Sequence, residues 1–418
     1  MKAIRPLVLR TFSFLRFSKR ELVRRSPGSI FFGRITSSYG KAASSPRAGV
    51  RCFASVTRIL IVMLAVSVQL LLARGAVSAP ASAEPTPSDR SQPLTKQLPQ
   101  GTKLSLEDWR KILAGAPQRG GCFNATYPNT AWRQVKCAKA PPVPYPPALG
   151  RASQIVGGGS TSDSEGQLSA PNLMHSVWGS FTSVIGATNE TGTDPFTGTT
   201  DVPNTFSLQL NTNKFPTAAC AHASNPAGCQ GWQQFVYSNI GRAFIQYWLI
   251  GFGPCPFSWN GDGGVNCFKN SAAAYIPVQS ITHLDHLLLT GEARSGGMDS
   301  IEFQTADFTM SRVSVDDNVL GLAQGWQEAE FNIFGDCCAT GATFNDGAKI
   351  AIQLKMDNTT LDAPMCNARS WTGETNSLNL VPSSCCPFGG SATTISFSES
   401  NVVGATSHCA FGTSVFDP

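Results

Sequence analysis

The chain lacks the motifs that mark several large enzyme classes. Its 418 residues contain no Walker phosphate loop, no Gly-x-Ser-x-Gly turn, no HExxH pair and no GxGxxG after a strand. These absences argue against a P-loop nucleotidase, an α/β-hydrolase, a zinc peptidase and a dinucleotide-binding enzyme. Histidine is also scarce, with five in the chain, so few side chains are available as general bases or metal ligands.

Candidate metal ligands are correspondingly few. His283 and His286 form an HxxH pair, but we predict a strand here, and residues three apart in a strand face opposite sides of the sheet. Asp316 and Asp317, followed by Asn318, are typical of a calcium loop or of a turn between strands, and we favour the turn. The sequence therefore predicts no metal ion and no cofactor.

The sequence has no long helical periodicity and no fixed repeat. From Leu173 onward, short segments rich in β-branched and aromatic residues alternate with Gly, Asn, Asp and Pro. This pattern predicts an all-β fold, an antiparallel β-sandwich or jelly roll. The predicted strands are Ser176 to Val184, Thr205 to Leu210, Trp232 to Tyr237, Ala243 to Ile250, His283 to Leu289, Ser300 to Phe308, Ala329 to Phe334, Ala348 to Met356 and Thr393 to Phe397.

An apolar, uncharged run from Ile59 to Ala73 lies between Arg58 and Arg74 and is followed by small residues. It is short for a membrane span and resembles the apolar region of a signal peptide, with a cleavage site after Ala83. We predict that residues 1–83 are a basic leader and signal peptide, with a single-pass anchor as the alternative. The mature protein is then extracellular, with no stable membrane association.

Cysteine usage supports the same compartment. Of the 13 cysteines only Cys52 precedes the apolar run, so an even number follows it, and none forms a zinc-type CxxC pair. We expect disulfide bridges that brace the sandwich. In the doublets Cys337-Cys338 and Cys385-Cys386 we expect each cysteine to bond a different partner, because neighbouring cysteines seldom bond each other.

Basic charge is concentrated in the leader. The whole chain has a formal net charge of +5, but 14 of its 32 basic residues and only one of its 27 acidic residues precede Ala76. The remainder therefore carries 18 basic and 26 acidic residues, a net charge near −8. This balance argues against a nucleic-acid partner.

Residues 84–168 form a Pro-rich segment, or propeptide, ahead of the sandwich at residues 169–418. Within it, Ser105 and Asp108 predict a capped helix that ends before Gly115, and Pro141 to Pro147 (PPVPYPP) predict a stiff extended spacer. That spacer is a tether or a ligand for an aromatic-lined groove, and we favour the tether.

Uncharged polar residues alternate with aromatics on two predicted strands, CQGWQQFVY and FIQYWLI. Alternation places Gln230, Trp232 and Gln234 on one face of the first strand. It places Gln246 and Trp248 together on the second, opposite Tyr247. Such a face suits a groove that hydrogen-bonds a polymer and stacks on it, although the same aromatics also suit a sandwich core.

A third strand, in WQEAEFNIFGD, places Glu330, Asn332 and Phe334 on one face. A carboxylate between aromatics on a sheet face favours a raised pKa and hence a general acid. An exposed surface charge is the alternative.

Together these three segments resemble the glutamic peptidase (eqolisin-like) family and, more distantly, the plant neprosin-type prolyl peptidases. The resemblance implies a secreted, concanavalin-like jelly roll in which facing strands supply Gln and Glu, or two Glu, for acid catalysis. AEFNIFGD resembles the segment that holds the family's catalytic glutamate, and aligning the two places Phe334 at that position. Either the active site has been rebuilt around Glu330 or the scaffold has become a binding protein.

Two functions follow from this interpretation. The first, which we favour slightly, is a catalytically silent module that binds an extracellular polypeptide or glycan through Trp232, Tyr247 and Trp248. The alternative is an acid-acting endopeptidase. In that case Glu330 is the acid/base group, and Gln230, Gln234 or Gln246 positions water or stabilises an oxyanion.

The leader and the even cysteine number generate the first testable prediction. We expect the secreted protein to begin near Glu84 and to contain no free thiol, which intact-mass measurement before and after alkylation without reduction will check. A retained leader, or several alkylated cysteines, would contradict it.

Overall fold

The structure is a computed structural model that describes residues 104–148, 165–167, 172–358, 364–367, 370–381, 386–387 and 393–402. The chain divides into residues 1–95 and residues 96–418, and every described residue belongs to the second unit. The predicted leader and its cleavage site lie outside the described residues.

The described residues contain one α-helix, α1 (Leu106–Leu113), which begins at the predicted cap. The Ser105 hydroxyl oxygen accepts a hydrogen bond from the Asp108 backbone N–H at 3.0 Å, which satisfies one of the donors left free at a helix start. Trp109 and Leu113 are buried, so the helix packs its apolar side onto a sheet. The helix predicted from the cap and the apolar spacing is therefore confirmed.

The described chain is otherwise mostly strand, with five 3₁₀ helices at Ala218–His222, Pro226–Gly228, Ile281–His286, Asp317–Val319 and Leu322–Gln324. The strands are β1 (Gly121–Thr126), β2 (Arg133–Val135), β3 (Ala138–Lys139), β4 (Glu165–Gln167), β5 (Met174–Ile185), β6 (Glu190–Gly192), β7 (Val202–Pro203), β8 (Phe206–Thr212), β9 (Gln230–Ser238), β10 (Arg242–Ile250), β11 (Asn260–Gly261), β12 (Cys267–Asn270), β13 (Ala272–Tyr275), β14 (Leu288–Glu292), β15 (Met298–Gln304), β16 (Thr309–Asp316), β17 (Glu328–Gly335), β18 (Gly341–Phe344), β19 (Lys349–Asn358), β20 (Met365–Asn367), β21 (Thr375–Asn376), β22 (Asn379–Leu380), β23 (Cys386–Pro387) and β24 (Thr394–Ser400).

Two large sheets and one small sheet contain these strands. The first sheet has the order β2-β1-β16-β15-β14-β5-β19-β24-β22, with β23 also on β24. The second has the order β11-β12-β10-β9-β8-β17-β4-β20, with β13 on β10 and β3 on β13. The small sheet is β21-β18-β6-β7, and its β18–β21 pair is parallel. All pairs in the two large sheets are antiparallel, which confirms the predicted all-β, antiparallel class.

The described part of the Pro-rich N-terminal segment contributes strands to both large sheets. β1 pairs with β16 over six positions, and β3 pairs with β13. The domain boundary near residue 169 stays a prediction.

Aromatic side chains from the two large sheets meet between them. Phe181 on β5 and Phe331 on β17 have ring centroids 5.3 Å apart, and Tyr237 on β9 stacks on Phe303 of β15 at 3.9 Å. All four are buried. The inward-facing half of each alternating strand therefore forms the hydrophobic core.

Two glycines of the first sheet allow this close approach. A Cβ atom at Gly179 would lie 2.2 Å from Cγ of Phe331, and one at Gly291 would lie 2.6 Å from the Phe235 ring. Neither position has room for a side chain, so aromatic rings from the second sheet fill the space above each glycine.

Four disulfides are described: Cys122–Cys137, Cys220–Cys229, Cys255–Cys267 and Cys337–Cys338. Cys366 is disulfide-bonded as well. The expectation that the cysteines of a doublet bond different partners is wrong for Cys337 and Cys338. Both residues, with Ala339, have positive φ in the turn after β17, and this turn brings the neighbouring side chains together.

Two of the predicted strands differ from the structure. His283 lies in a 3₁₀ helix and not in a strand, so His283 and His286 lie on one side with ring centroids 6.3 Å apart. The argument that they face opposite sides is therefore wrong. The strand predicted to reach Phe308 ends at Gln304, where a tight turn leads into β16, a strand that the prediction missed.

No helix among the described residues has the length and apolar character needed to cross a bilayer.

A pair of buried carboxyl groups lies on the core side of β9 and β15. The Gln233 side-chain amide donates to Asp299 at 2.8 Å, and Asp317 is buried beside it. Burial raises the pKa of Asp299 well above its ordinary value; the Gln233 hydrogen bond lowers it, and the Asp317 carboxyl raises it further. The neutral form of Asp299 is therefore the one that suits the fold.

This pair predicts a pH dependence of stability. Because the folded pKa of Asp299 is raised, its stabilising contribution is full below the unfolded pKa of about 3.9 and is lost as the pH rises through the folded value. In the parent, the free energy of unfolding should fall as the pH rises above about 4. We expect Asp299→Asn to reduce the slope of this fall by up to ~1.4 kcal/mol per pH unit. Denaturant unfolding at a series of pH values will measure this.

The exposed residue Asp346 provides the control for this measurement. Its carboxyl is not among the groups that shift the pKa of Asp299, so Asp346→Asn should leave the contribution of Asp299 unchanged. An Asp299→Asn protein with the same slope as the parent would contradict the prediction.

Candidate functional site

The outward face of the second sheet carries a continuous row of polar side chains. Four of these residues stand directly opposite one another on neighbouring strands: Gln246 on β10, Gln234 on β9, Asn211 on β8 and Glu330 on β17. We call these four residues the polar row. All four are fully buried.

Hydrogen bonds connect the polar row from strand to strand. The Asn211 amide donates to Glu330 Oε2 at 2.8 Å, and the Gln234 amide donates to Asn211 Oδ1 at 3.0 Å. The Trp248 indole N–H lies between the two glutamines, 2.9 Å from Gln234 Oε1 and 3.0 Å from Gln246 Oε1. The row is thus one connected network in which each amide has a defined orientation.

An extended segment covers one end of this face. We call residues 141–148, which include the sequence PPVPYPP, the strap. The Gln246 side chain accepts a hydrogen bond from the Tyr145 backbone N–H at 2.7 Å and donates to the Val143 carbonyl at 3.0 Å. The Asn270 amide donates to the Pro141 carbonyl at 2.7 Å. The sheet therefore holds the strap through its main chain.

A second loop, residues 370–374, covers the other end. The Trp371 backbone N–H donates to both Glu330 oxygens at 3.2 Å, and the Trp371 carbonyl accepts from Ala148 of the strap at 2.9 Å. Gly373 N–H donates to the Pro146 carbonyl at 2.7 Å. Strap and loop therefore bond each other as well as the sheet.

The tyrosine of the strap reaches a buried acid at the end of β17. Tyr145 O–H donates to Asp336 at 2.6 Å, and the Ser238 hydroxyl donates to the other Asp336 oxygen at 2.9 Å. Burial raises the pKa of Asp336 to about 7, against the lowering effect of these two hydroxyls. The Tyr145 ring packs beside Phe244, with centroids 6.0 Å apart.

Two further buried carboxyl groups have raised pKa values. Burial raises the pKa of Glu374 to about 8, although hydrogen bonds from Thr372, the Ala339 N–H and Gln209 lower it. Burial likewise raises the pKa of Glu190 to about 8. Within the described ranges, no group of three or more His, Cys, Asp or Glu side chains is arranged to hold a metal ion.

The structure brings together five of the seven residues predicted from sequence. Glu330, Gln234, Gln246, Trp232 and Trp248 share the outward face, as their alternation predicts. Both indoles are fully buried, and the Trp232 N–H donates to the Thr212 carbonyl at 2.8 Å. Neither indole has an open face on which a ligand could stack.

The other two predicted residues lie apart from this group. Gln230 is exposed at the first position of β9, paired with Ile250. Tyr247 faces inward, in the core between the sheets, so it does not contribute to the outward face. We therefore remove Tyr247 from the candidate site, because alternation places it opposite Trp248.

Sequence reasoning missed Asn211, Gln209, Tyr145, Asp336 and Glu374. The first two had a signal, since FSLQLNT alternates amides with leucines in the same way as the recognised strands. The others had none, because their roles depend on loops that fold back onto the sheet.

The arrangement limits the available chemistry. Asn211 lies between Glu330 and Gln234, so their backbones are two strand spacings, or about 10 Å, apart. Both side chains form hydrogen bonds with Asn211. Phe334 is buried opposite Ser207, further along the same face.

Neither a family model nor a curated protein sequence matches the chain. Among solved structures, it is similar to scytalido-glutamic peptidase with a peptide-based transition-state analogue, at a TM-score of 0.24 and 12% identity over 56% of this chain and 97% of that one. It is also similar to SCP-B, a member of the eqolisin family of peptidases, in complex with the tripeptide Ala-Ile-His. That match has a TM-score of 0.23 and 11% identity over 56% of this chain and 97% of the other. Likenesses at this level carry no conclusion about activity.

The contacts of Gln246 generate a prediction about the strap. The strap has only three backbone amides, those of Val143, Tyr145 and Ala148. Gln246→Met removes the acceptor of the Tyr145 amide, so we expect hydrogen exchange over residues 141–148 to accelerate by roughly tenfold at that amide. Mass spectrometry of this peptide will measure the change.

Gln353→Met is the matched control, because Gln353 is a buried glutamine of the first sheet. It should leave exchange of the strap unchanged. Equal protection of Tyr145 in both variants would show that Gln246 does not hold the strap.

Proposed function

We propose that this protein is a secreted, disulfide-braced β-sandwich that binds an extended peptide on the outward face of its second sheet. The strap occupies this face when no partner is present. The observation that carries the proposal is a pair of hydrogen bonds: the Gln246 side chain accepts from a strap N–H and donates to a strap C=O. A side-chain amide that bonds main chain in this way suits any extended peptide of the same shape.

The polar row favours binding over catalysis. A general acid and its partner must reach one reacting atom, yet Asn211 separates Glu330 from Gln234. A peptide is also favoured over a glycan as the partner. Stacking on a sugar needs an open aromatic face, and Trp232 and Trp248 pack on each other and on Phe268, neighbours that stay in place when the strap leaves.

An external peptide must displace the strap in order to bind. The Tyr145 side chain anchors the strap through Asp336 and the Phe244 ring, so Tyr145→Ala should loosen it. We expect a fluorescent peptide with the sequence of residues 141–148 to bind Tyr145→Ala protein and not the parent. Fluorescence polarisation will measure both.

A second substitution identifies the binding face. Adding Gln246→Met to Tyr145→Ala should weaken binding of the peptide by about tenfold or more, whereas adding Gln353→Met should leave its affinity unchanged. A folded Tyr145→Ala protein that does not bind the peptide would refute the proposal.

The second candidate is an acid-acting endopeptidase, favoured by the buried carboxyl group of Glu330 on the same sheet face as Gln234 and Gln246. Incubating the Tyr145→Ala protein with a mixed peptide library from about pH 3 to about pH 8 tests it. Cleavage that peaks below neutral pH and disappears in Glu330→Gln, with folding intact, would replace the binding proposal. Cleavage that survives Glu330→Gln would exclude Glu330 as the acid.

A further inference from the structure

A second concave site lies on the first sheet, on the face turned away from the second sheet. A cavity of about 170 Å³ opens between helix α1 and the outward side chains of β5, β14, β15, β16 and β19. None of the strap or the polar row lines it, so it is independent of the proposed peptide site.

The interior of the cavity is apolar. Leu113 of α1, Leu288 of β14 and Met310 of β16 line it, and all three are at least 97% buried. Trp178 of β5 forms part of the wall and is half-buried. The pocket thus provides a ring and three aliphatic side chains to an apolar ligand.

One polar atom in the wall has no partner. Thr290 is 5% exposed, and its Oγ1 atom has no hydrogen-bond partner in the described protein. Ser180 Oγ and both amide atoms of Gln353 also have no hydrogen-bond partner in the described protein. Ser180 and Gln353 stand opposite each other on β5 and β19, two residues along from Trp178 and Lys355. Buried hydroxyl and amide groups normally have partners, so an unpaired group beside a cavity indicates that a ligand atom or a water belongs there.

The register places charge next to this hydroxyl. Lys355, Trp178, Thr290 and Glu302 stand opposite one another on successive strands from β19 to β15. Lys355 Nζ lies 6.0 Å from the centre of the Trp178 ring, at the mouth of the cavity.

The mouth carries more basic than acidic groups. Arg110, Lys111 and Lys355 line it together with Glu107 and Glu302, and Lys111 forms an ion pair with Glu107 at 2.8 Å. Glu302 already accepts a hydrogen bond from the buried Arg312 guanidinium at 2.5 Å, a residue outside the lining. The excess of basic charge favours an anionic head group over a cationic one.

We propose that this cavity binds a small amphipathic carboxylate, whose apolar tail lies against Trp178, Leu288 and Met310. Its carboxylate pairs with Lys355 at the mouth, and a water between that carboxylate and the Thr290 hydroxyl supplies the partner that Thr290 lacks. A cavity of about 150 Å³ holds a benzene ring, so the tail has about six to eight carbon atoms. Longer chains would have to extend past α1 into solvent.

Three eight-carbon probes that differ only in the head group test the charge preference. Octanoate, 1-octanol and octylamine are titrated into the full secreted protein, with calorimetry and the fluorescence change lost in Trp178→Phe as readouts. We expect saturable binding of one octanoate, weaker binding of 1-octanol and no saturable binding of octylamine.

Substitutions at the mouth locate the binding site. Lys355→Met should weaken binding of octanoate by about tenfold or more and leave the affinity for 1-octanol unchanged. Lys349→Met is the matched control, because Lys349 lies on the same face of β19 outside the lining, and it should change neither. Ala114→Trp places a bulky ring at the mouth and should abolish binding of both probes.

Four results would each overturn the proposal. The first three are no saturable binding of octanoate, octylamine binding as tight as that of octanoate, and equal losses in Lys355→Met and Lys349→Met. The fourth is retained binding in a folded Ala114→Trp protein, which would place the ligand elsewhere.

Discussion

Buried amides and carboxylates need hydrogen-bond partners, and the second sheet buries four of them in one row across its strands. Each buried group left without a hydrogen bond would cost about 1–3 kcal/mol of folding free energy. Segments that pack on the row must therefore bring matching donors and acceptors. Within the row, Asn211 joins Glu330 to Gln234, and the Trp248 indole lies between the glutamines. At the two ends, main chain from elsewhere in the protein provides further donors and acceptors, from Tyr145 and Val143 at Gln246 and from Trp371 at Glu330.

The composition of the strap fits that requirement. Proline has a carbonyl acceptor but no N–H donor, and the groups of the sheet and loop that contact the strap mainly donate. Gln246, Asn270 and the Gly373 N–H all donate to strap carbonyls, while the Tyr145 N–H finds its acceptor in Gln246. A strap richer in ordinary residues would carry more N–H groups and would need an acceptor for each.

The same strands serve two environments because their side chains alternate. Phe235 and Tyr237 of β9 face the core, while Gln234 and Trp232 face outward. A shift of one residue in the register would place glutamines in the core and aromatics under the strap. The inward-facing rings therefore hold the register that keeps the polar row aligned.

Much of the candidate site could be predicted, because a period of two depends only on local sequence. That period correctly placed Gln234, Gln246 and Glu330 on one face. It could not indicate that the face is covered, since the strap and the sheet are about a hundred residues apart in sequence. Periodicity also wrongly predicted a strand at His283. A short 3₁₀ helix fits the same apolar spacing, because it buries Ile281 and Leu284.

The short spans of the described disulfides have a consequence for how the protein matures. The four bridges join cysteines 15, 9, 12 and 1 residues apart. Each can close as soon as its own hairpin or turn has formed, before distant strands have met. An oxidising compartment can therefore complete these bonds without sorting among remote partners, and an isomerase would have little to correct at these positions. Cohesion between the sheets then depends on apolar contacts such as Phe181 against Phe331, which remain when these bridges are reduced.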